Sequence, residues 1–155
     1  MGISLGFQCA ALEFARNVAG LTDANSSEFA AQTPHPVISL MENIKPTGTM
    51  RIGSLETVLK TNTKIKLAYG EKTIHERHRH RYELNTEYQK TLEDNGLVIS
   101  GTTADGTLAD CLELPNLDFF IACQYHPEFK SRPETPHPLF KGLLKATLKQ
   151  KKSKK

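Results

Sequence analysis

The chain has 155 residues, of which 38% are hydrophobic and 24% charged, and this composition predicts one globular domain with a buried core. Five lysines of the C-terminal tail carry +5, so the net charge of +3 becomes −2 over residues 1–148 and does not indicate a nucleic-acid-binding protein. The 3 cysteines show no CxxC spacing, and no apolar stretch approaches the roughly 20 residues that cross a bilayer. We therefore expect a cytoplasmic protein without disulfides and without a membrane or nucleic-acid partner.

The first half of the chain predicts one helix followed by several strands. Residues 7–18 carry apolar side chains at i, i+3, i+4 and i+7, which is the pattern of an amphipathic helix, and Gly20 stands where such a helix ends. A polar loop and a proline-rich segment follow. Strand-like runs then cover residues 37–41, 49–52, 57–59, 65–69 and 79–84.

The second half predicts two helices, over residues 86–94 and 138–148, and strands over residues 97–102, 110–114 and 119–123. The last of these strands is a continuous apolar run, which is typical of a strand covered on both faces in a parallel sheet. The pattern as a whole predicts an α/β fold with antiparallel additions. The lysine-rich residues 149–155 predict a disordered tail.

A nucleophile motif opens the chain. Gly2-Ile3-Ser4-Leu5-Gly6 matches G-x-S-x-G, the nucleophile elbow, which is a sharp turn between a strand and a helix that exposes a nucleophile. The predicted helix follows at once, so Ser4 would lie beside free backbone N–H groups and the positive end of the helix dipole. A glycine-flanked turn with an incidental serine explains the pattern equally well.

His126 and Glu128 directly follow the apolar run 119–123, at the end of a strand where open α/β sheets bind their ligands. Pro127 between them favours extended backbone, so both side chains would point the same way. A carboxylate beside an imidazole fixes its tautomer, as a general base next to a nucleophile requires. Serine hydrolases with this elbow place the acid before the histidine, and the opposite order here ranks a serine hydrolase second.

Residues 76–83 alternate arginine with histidine, and Glu76 and Glu83 stand at the two ends of this run. No carboxylate or cysteine is spaced to complete a metal site with His78 and His80, and the run is too short for a nucleic-acid patch. On a strand, the three arginines up to Arg81 would face one way and the histidines the other. An arginine row suits a carboxylate ligand, although a solvated face remains an alternative.

Several segments together resemble the class-I (triad) glutamine amidotransferase domain of CTP synthases, in that family's order. They are residues 2–8, 13–17, 23–29, 48–53, 76–83, 123–133 and 138–140. The resemblance implies a three-layer, flavodoxin-like α/β fold with a mostly parallel sheet flanked by helices. It also implies that residues 1–148 form a partial domain without its leading strands.

The same resemblance implies a glutaminase half-reaction, in which a cysteine thiolate attacks the side-chain amide of glutamine and water cleaves the resulting thioester. Ammonia would then pass to a synthetase domain that aminates UTP to CTP. By position, the catalytic residues would be Ser4, His126 and Glu128. The glutamine-binding residues would be Leu5, Gly6, Phe7, Gln8, Glu28 and Arg81, with the carboxylate of Glu28 suited to the ammonium group and Arg81 to the carboxylate.

The resemblance implies no cofactor for this part of the protein, whereas the whole enzyme would use ATP and Mg²⁺, be activated by GTP and form a homotetramer. Ser4 stands where the family has its cysteine, and a hydroxyl ionises far less readily than a thiol with a pKa of about 8.5. A partial domain would also lack the glycine-rich segment that the family uses for its oxyanion hole, and the loss of even one such donor costs about 10²–10³ in rate. For both reasons we expect impaired hydrolysis. The alternatives are a non-catalytic glutamine-binding or regulatory domain and a serine hydrolase.

Overall fold

The computed structural model describes residues 1–40 and 50–153, and these residues form both strands and helices. In chain order the elements are β1 (Gly2–Ile3), α1 (Leu5–Asn17), β2 (Ala24–Ser26), β3 (His35–Leu40), β4 (Arg51–Leu59), α2 (Lys64–Tyr69), β5 (Thr73–His80), β6 (Tyr82–Leu84), α3 (Thr86–Asp94), β7 (Val98–Thr102), β8 (Ala109–Glu113), β9 (Ile121–Cys123), a 3₁₀ turn (Pro127–Lys130) and α4 (Pro138–Ser153).

The strands form two sheets. A 6-stranded sheet has the order β1-β9-β8-β7-β4-β5, and a 3-stranded sheet has the order β2-β3-β6. The predicted α/β class is confirmed, but within the larger sheet only β1 and β9 pair in parallel, and the other described neighbours pair antiparallel. The connections on either side of β8 are shorter than the dozen or more residues that a parallel crossover needs, so β7, β8 and β9 pair antiparallel.

The part of the larger sheet around β8 and β9 is buried on both faces, whereas alternate residues of β5 are exposed. One core cluster joins α1 to the smaller sheet and includes Phe7, Ile38 and Ala122. The other cluster lies on the opposite face, where Ile121 packs in the same cluster as Leu139 of α4. Neighbouring residues of β9 therefore belong to different cores, which confirms burial on both sides for Ile121–Cys123. Residues 119 and 120 of the predicted strand precede β9 and are only partly buried.

The strand predicted over residues 65–69 is wrong, since these residues lie in α2. The Thr63 side chain caps this helix by accepting a hydrogen bond from the Lys66 N–H at 3.3 Å. The buried carboxylate of Glu113 accepts the N–H groups of Lys64 and Ile65 at 3.0 and 3.2 Å. A tertiary contact from a distant strand therefore satisfies the first turn of α2, and the apolar residues 65 and 68 face the core.

Other predicted boundaries shift without changing the element type. The helix predicted over residues 7–18 begins earlier, at Leu5, and the two strands predicted over residues 49–52 and 57–59 form the single strand β4. Residues 41 and 49 lie outside the described part of the chain. The strand predicted over residues 79–84 is divided by a bend at Arg81.

The last helix is longer than predicted. α4 continues to Ser153, so the lysines up to residue 152 are helical, whereas the sequence predicted a disordered tail from residue 149. Residues 154 and 155 lie outside the described part. Among the described residues, no helix is long and apolar enough to span a membrane.

Glu113→Ala should lower the free energy of unfolding by on the order of 2 kcal/mol, because one buried and one partly buried N–H group at the start of α2 would lose a charged acceptor. Urea unfolding followed by circular dichroism measures this effect. Glu93→Ala is the matched control, since it breaks only an exposed ion pair with Lys60 and should cost less than about 1 kcal/mol. Equal losses in the two variants would contradict the role of Glu113.

Candidate active site

Ser4 occupies a strained turn between β1 and α1. Its backbone has φ 51° and ψ −108°, a conformation that costs a non-glycine residue energy and is found mainly at functional sites. The Ser4 N–H donates to the Cys123 carbonyl at 2.8 Å, and the Ser4 carbonyl accepts from the N–H groups of Phe7 and Gln8 at 2.9 and 3.3 Å. The turn is therefore held from both sides, by the sheet and by the helix.

The two glycines of the motif differ in importance. A Cβ at Gly2 would lie 2.5 Å from the carbonyl oxygen of Gly6, so residue 2 must lack a side chain for α1 to fold back over β1. A Cβ at Gly6 would meet nothing within 4 Å. The structure thus assigns the steric requirement of the G-x-S-x-G motif to its first glycine.

A cavity of about 400 Å³ opens beside the turn. Its lining consists of Ser4, Leu5, Gln8, Glu28, Phe29, Met50, Arg79, His80, Arg81 and Tyr82. Four of the predicted glutamine-binding residues, Leu5, Gln8, Glu28 and Arg81, therefore meet around one space. Gly6 and Phe7 are not part of the lining, and the Phe7 side chain is fully buried in the core.

Charged groups of both signs line this cavity. Glu28 comes from the turn after β2, and its N–H donates to the Ser26 hydroxyl at 3.2 Å. Arg79 and Arg81 come from the end of β5 and the bend that follows it, and both are exposed. Arg77, the third arginine of the row, is exposed but does not line the cavity. The predicted alternation of β5 is confirmed, because His78 and His80 are buried between these exposed arginines.

The sequence placed Arg79 in the arginine row suited to a carboxylate ligand, but it did not single out Phe29, Met50, His80 or Tyr82 as site residues. Three of these five residues lie in the arginine–histidine run, which the sequence marked as unusual without showing which of its members reach the cavity. The Tyr82 carbonyl accepts from the Gln8 amide at 3.3 Å and from the Gln124 amide at 2.7 Å. These bonds join α1, β9 and the smaller sheet behind the cavity.

His126 and Glu128 meet at the end of β9. The His126 Nδ1 lies 2.6 Å from the Glu128 Oε1, and the His126 N–H donates to the Arg77 carbonyl at 2.9 Å. The predicted pairing of the two side chains is confirmed, although a 3₁₀ turn starting at Pro127 brings them together rather than extended backbone. A proton on Nδ1 shared with the carboxylate leaves Nε2 free to accept another proton.

The parallel pairing of β1 with β9 places this histidine near the elbow. Ile3 lies opposite Cys123, so Ser4 and residues 124–126 leave the sheet at the same end, where both strands have their C-termini. Neither His126 nor Glu128 lines the cavity itself. The predicted catalytic residues therefore lie at the C-terminal ends of β1 and β9, and four of the predicted binding residues line the adjacent cavity.

Two buried histidines support the wall of the cavity. His78 Nδ1 lies 2.9 Å from His80 Nε2, and His80 Nδ1 lies 3.2 Å from the Glu83 carboxylate. Burial, followed by the positive charge of Arg51, lowers the pKa of His78 to about 2, so its ring is neutral. Within the described residues, no group of 3 or more histidine, cysteine or acidic side chains could hold a metal ion.

His78 should make the stability of the fold sensitive to acid. In the unfolded chain its pKa returns to about 6.5, so below that pH the unfolded state binds a proton that the folded state excludes. Stability therefore falls as the pH falls from about 6.5 towards 2, by up to about 1.4 kcal/mol per pH unit from this group. His78→Gln should remove this contribution, so the free energy of unfolding should fall less steeply with pH when urea unfolding is measured between pH 7 and 4.5. Parallel curves for the variant and the original chain would contradict this role.

Comparison with known proteins adds a family to this geometry. Residues 1–146 match the family model described as glutamine amidotransferase class-I. The chain is 54% identical over 156 residues to the CTP synthase of Carboxydothermus hydrogenoformans and 51% identical over 155 residues to that of Methanocaldococcus jannaschii. These alignments cover 98% and 97% of the chain, which spans 29% of the length of each relative.

Solved structures agree with these relatives. The glutaminase domain of Trypanosoma brucei CTPS with bound acivicin superposes with a TM-score of 0.88 at 36% identity, over 96% of this chain and 59% of that one. A Thermoplasma acidophilum protein described as a GMP synthase subunit superposes with a TM-score of 0.61 at 14% identity, over 99% of this chain and 59% of that one. The second likeness concerns the fold alone.

Proposed function

The chain belongs to the class-I glutamine amidotransferase family, and we propose that it is the glutamine-binding part of a CTP synthase whose hydrolytic step is impaired by the serine at position 4. The cavity beside Ser4 carries this proposal. It offers a carboxylate from Glu28 and guanidinium groups from Arg79 and Arg81 within one space next to the elbow. A free amino acid carries both an ammonium and a carboxylate group, and a site for it needs partners of both signs.

In this proposal Glu28 binds the α-ammonium group of glutamine and Arg81 binds its α-carboxylate through two parallel hydrogen bonds. The side-chain amide then extends towards Ser4 and the start of α1, where backbone N–H groups stabilise negative charge. Gln8 adds a buried Oε1 that has no hydrogen-bond partner among the described residues. Gly6 and Phe7 contribute through their backbone alone, since the Phe7 side chain lies in the core.

The reaction that we assign to Ser4, His126 and Glu128 is acyl transfer. His126, oriented by Glu128, takes the proton of the nucleophile as the new bond to the amide carbon forms, and returns it to the nitrogen as the carbon–nitrogen bond breaks and ammonia leaves. Water then cleaves the acyl-enzyme with the same histidine as base. A serine hydroxyl at position 4 gives up its proton far less readily than a thiol, which slows the first step.

The remainder of the CTP synthase would consume the ammonia. The chain spans 29% of the length of its relatives, and the proposed remainder includes the synthetase domain that uses ATP and Mg²⁺ to aminate UTP. Activation by GTP, a homotetrameric assembly and a cytoplasmic location belong to the same proposal. The described residues contribute the glutamine site.

Glutamine should bind to the chain without being consumed at an appreciable rate. Arg81→Ala should weaken binding by about tenfold to a hundredfold, because it removes a charged, two-point contact with the carboxylate. Isothermal titration calorimetry with glutamine measures the change. Arg77→Ala is the matched control, since Arg77 is an exposed member of the same row that does not line the cavity. Equal weakening by both variants, or no binding at all, would count against the assigned site.

Ser4→Cys should raise the rate of glutamate release from glutamine by at least about tenfold, since a few per cent of a cysteine is already thiolate at neutral pH. A coupled glutamate assay on the purified chain measures this rate. Ser4→Ala keeps the exposed Cys9 and controls for its reactivity.

The same variants separate the alternatives. If Ser4→Cys does not raise the rate of glutamate release while glutamine still binds, the result would favour a non-catalytic glutamine-binding or regulatory domain. A serine hydrolase would instead be revealed if a fluorophosphonate probe labelled Ser4 of the original chain and failed to label Ser4→Ala.

A further inference from the structure

A single buried carboxylate lies behind the turn that carries His126 and Glu128. Glu76 is on β5, next to Arg77, whose carbonyl accepts the His126 N–H. The side chain of Glu76 is 1% exposed, and its Oε1 lies 3.3 Å from the Lys130 Nζ at the end of the 3₁₀ turn. The Lys130 Nζ also donates to the His75 carbonyl at 2.7 Å. Lys130 therefore bridges the turn and the edge strand β5.

The other polar groups around Glu76 all donate towards it. The Leu139 N–H donates to His137 Nδ1 at 3.3 Å, which leaves the proton of this ring on Nε2, and Nε2 lies 3.1 Å from Glu76 Oε1. The Tyr69 hydroxyl donates to the same oxygen at 3.1 Å, lies 3.0 Å from His137 Nε2 and accepts from the Tyr125 hydroxyl at 3.0 Å.

Electrostatics keep these donors protonated. Burial and then the charge of Glu76 raise the pKa of Tyr69, and burial raises the pKa of Tyr125 well above its usual range. Charge-assisted hydrogen bonds of this kind are about twice as strong as neutral ones. Glu76 is thus the end point of a donor network that joins α2, the segment after β9, the 3₁₀ turn and the segment before α4.

The carboxylate of Glu128 has much weaker anchoring. It is 46% exposed, and the contact that the structure gives it is the 2.6 Å bond to His126 Nδ1. The position of Glu128 therefore follows from the turn on which it lies. That turn is fixed at its start by the bond from the His126 N–H to β5 and at its end by Lys130 on His75 and Glu76.

We infer that Glu76 is a positioning residue for the His126–Glu128 pair and acts through Lys130, whose charge ties the 3₁₀ turn to β5. This inference rests on the proposed function only for the catalytic role of the His126–Glu128 pair. The contact between the two side chains itself is present without substrate. Loss of the Glu76 charge loosens Lys130 and lets Glu128 move away from the imidazole. Orienting groups of this kind maintain active-site geometry to within about half an ångström.

NMR of the chain with ¹⁵N-labelled histidine tests the inference without requiring turnover. His126 in the original chain should show a downfield Nδ1 proton, as expected for an imidazole that shares this proton with a carboxylate, and Glu128→Gln identifies the signal by removing it. Glu76→Gln, which keeps the size of the side chain and removes its charge, should abolish the downfield signal while the dispersed amide spectrum of the folded chain remains. A retained signal in folded Glu76→Gln would overturn the inference.

Lys130→Met provides a second, independent variant, because Lys130 is 47% exposed and Glu76 keeps its contacts with the Tyr69 hydroxyl and His137 Nε2 when Lys130 is lost. It should also remove the downfield signal, and Lys130→Arg should retain it. Lys60→Met is the control, since it removes only an exposed pair with Glu93. If Glu76→Gln does not fold, Lys130→Met decides: a lost signal supports the inference and a retained one overturns it. Failure of glutamine to bind would refute the proposed function and leave this result unaffected.

Discussion

The parallel pairing of β1 with β9 is the constraint on which the candidate site depends. It involves only Gly2 and Ile3 on one side and Ala122 and Cys123 on the other, followed by the bond from the Ser4 N–H to the Cys123 carbonyl. Because the two strands run the same way, the elbow and the His126 turn leave the sheet together. An antiparallel pairing would have separated them by the length of a strand.

Much of the fold could be predicted from the sequence where local pattern and tertiary packing agree. The helix α1 and the buried strand β9 followed from periodicity and a continuous apolar run, and both contribute to the buried cores. The strand predicted over residues 65–69 failed because its helical state depends on Glu113, a residue 48 positions away in the chain from Ile65. Thr63 before α2 and Gly70 after it were the local signals of a helix, with Gly70 at φ 76°.

The site divides in the same way. Chain order and spacing were enough to pair His126 with Glu128, because the interaction is local and spans two residues. The cavity lining includes Phe29 and Tyr82, which come from separate parts of the chain, and no spacing rule relates them. The role of Glu76 is harder still to predict, since its partners lie in α2, at the end of the 3₁₀ turn and just before α4, and share no sequence pattern.

The short strand β1 also has a thermodynamic consequence. Among the described residues β9 is its only neighbour in the sheet, and an edge of two residue pairs opens more readily than the central strands. The strained backbone of Ser4 is thus maintained by one of the least cooperative parts of the sheet. Local unfolding of β1 would release the backbone strain at Ser4 and would also disrupt the elbow. Any contact that stabilises the pairing of β1 with β9 therefore also stabilises the turn at Ser4, so formation of this strand pair and readiness of the site are linked equilibria.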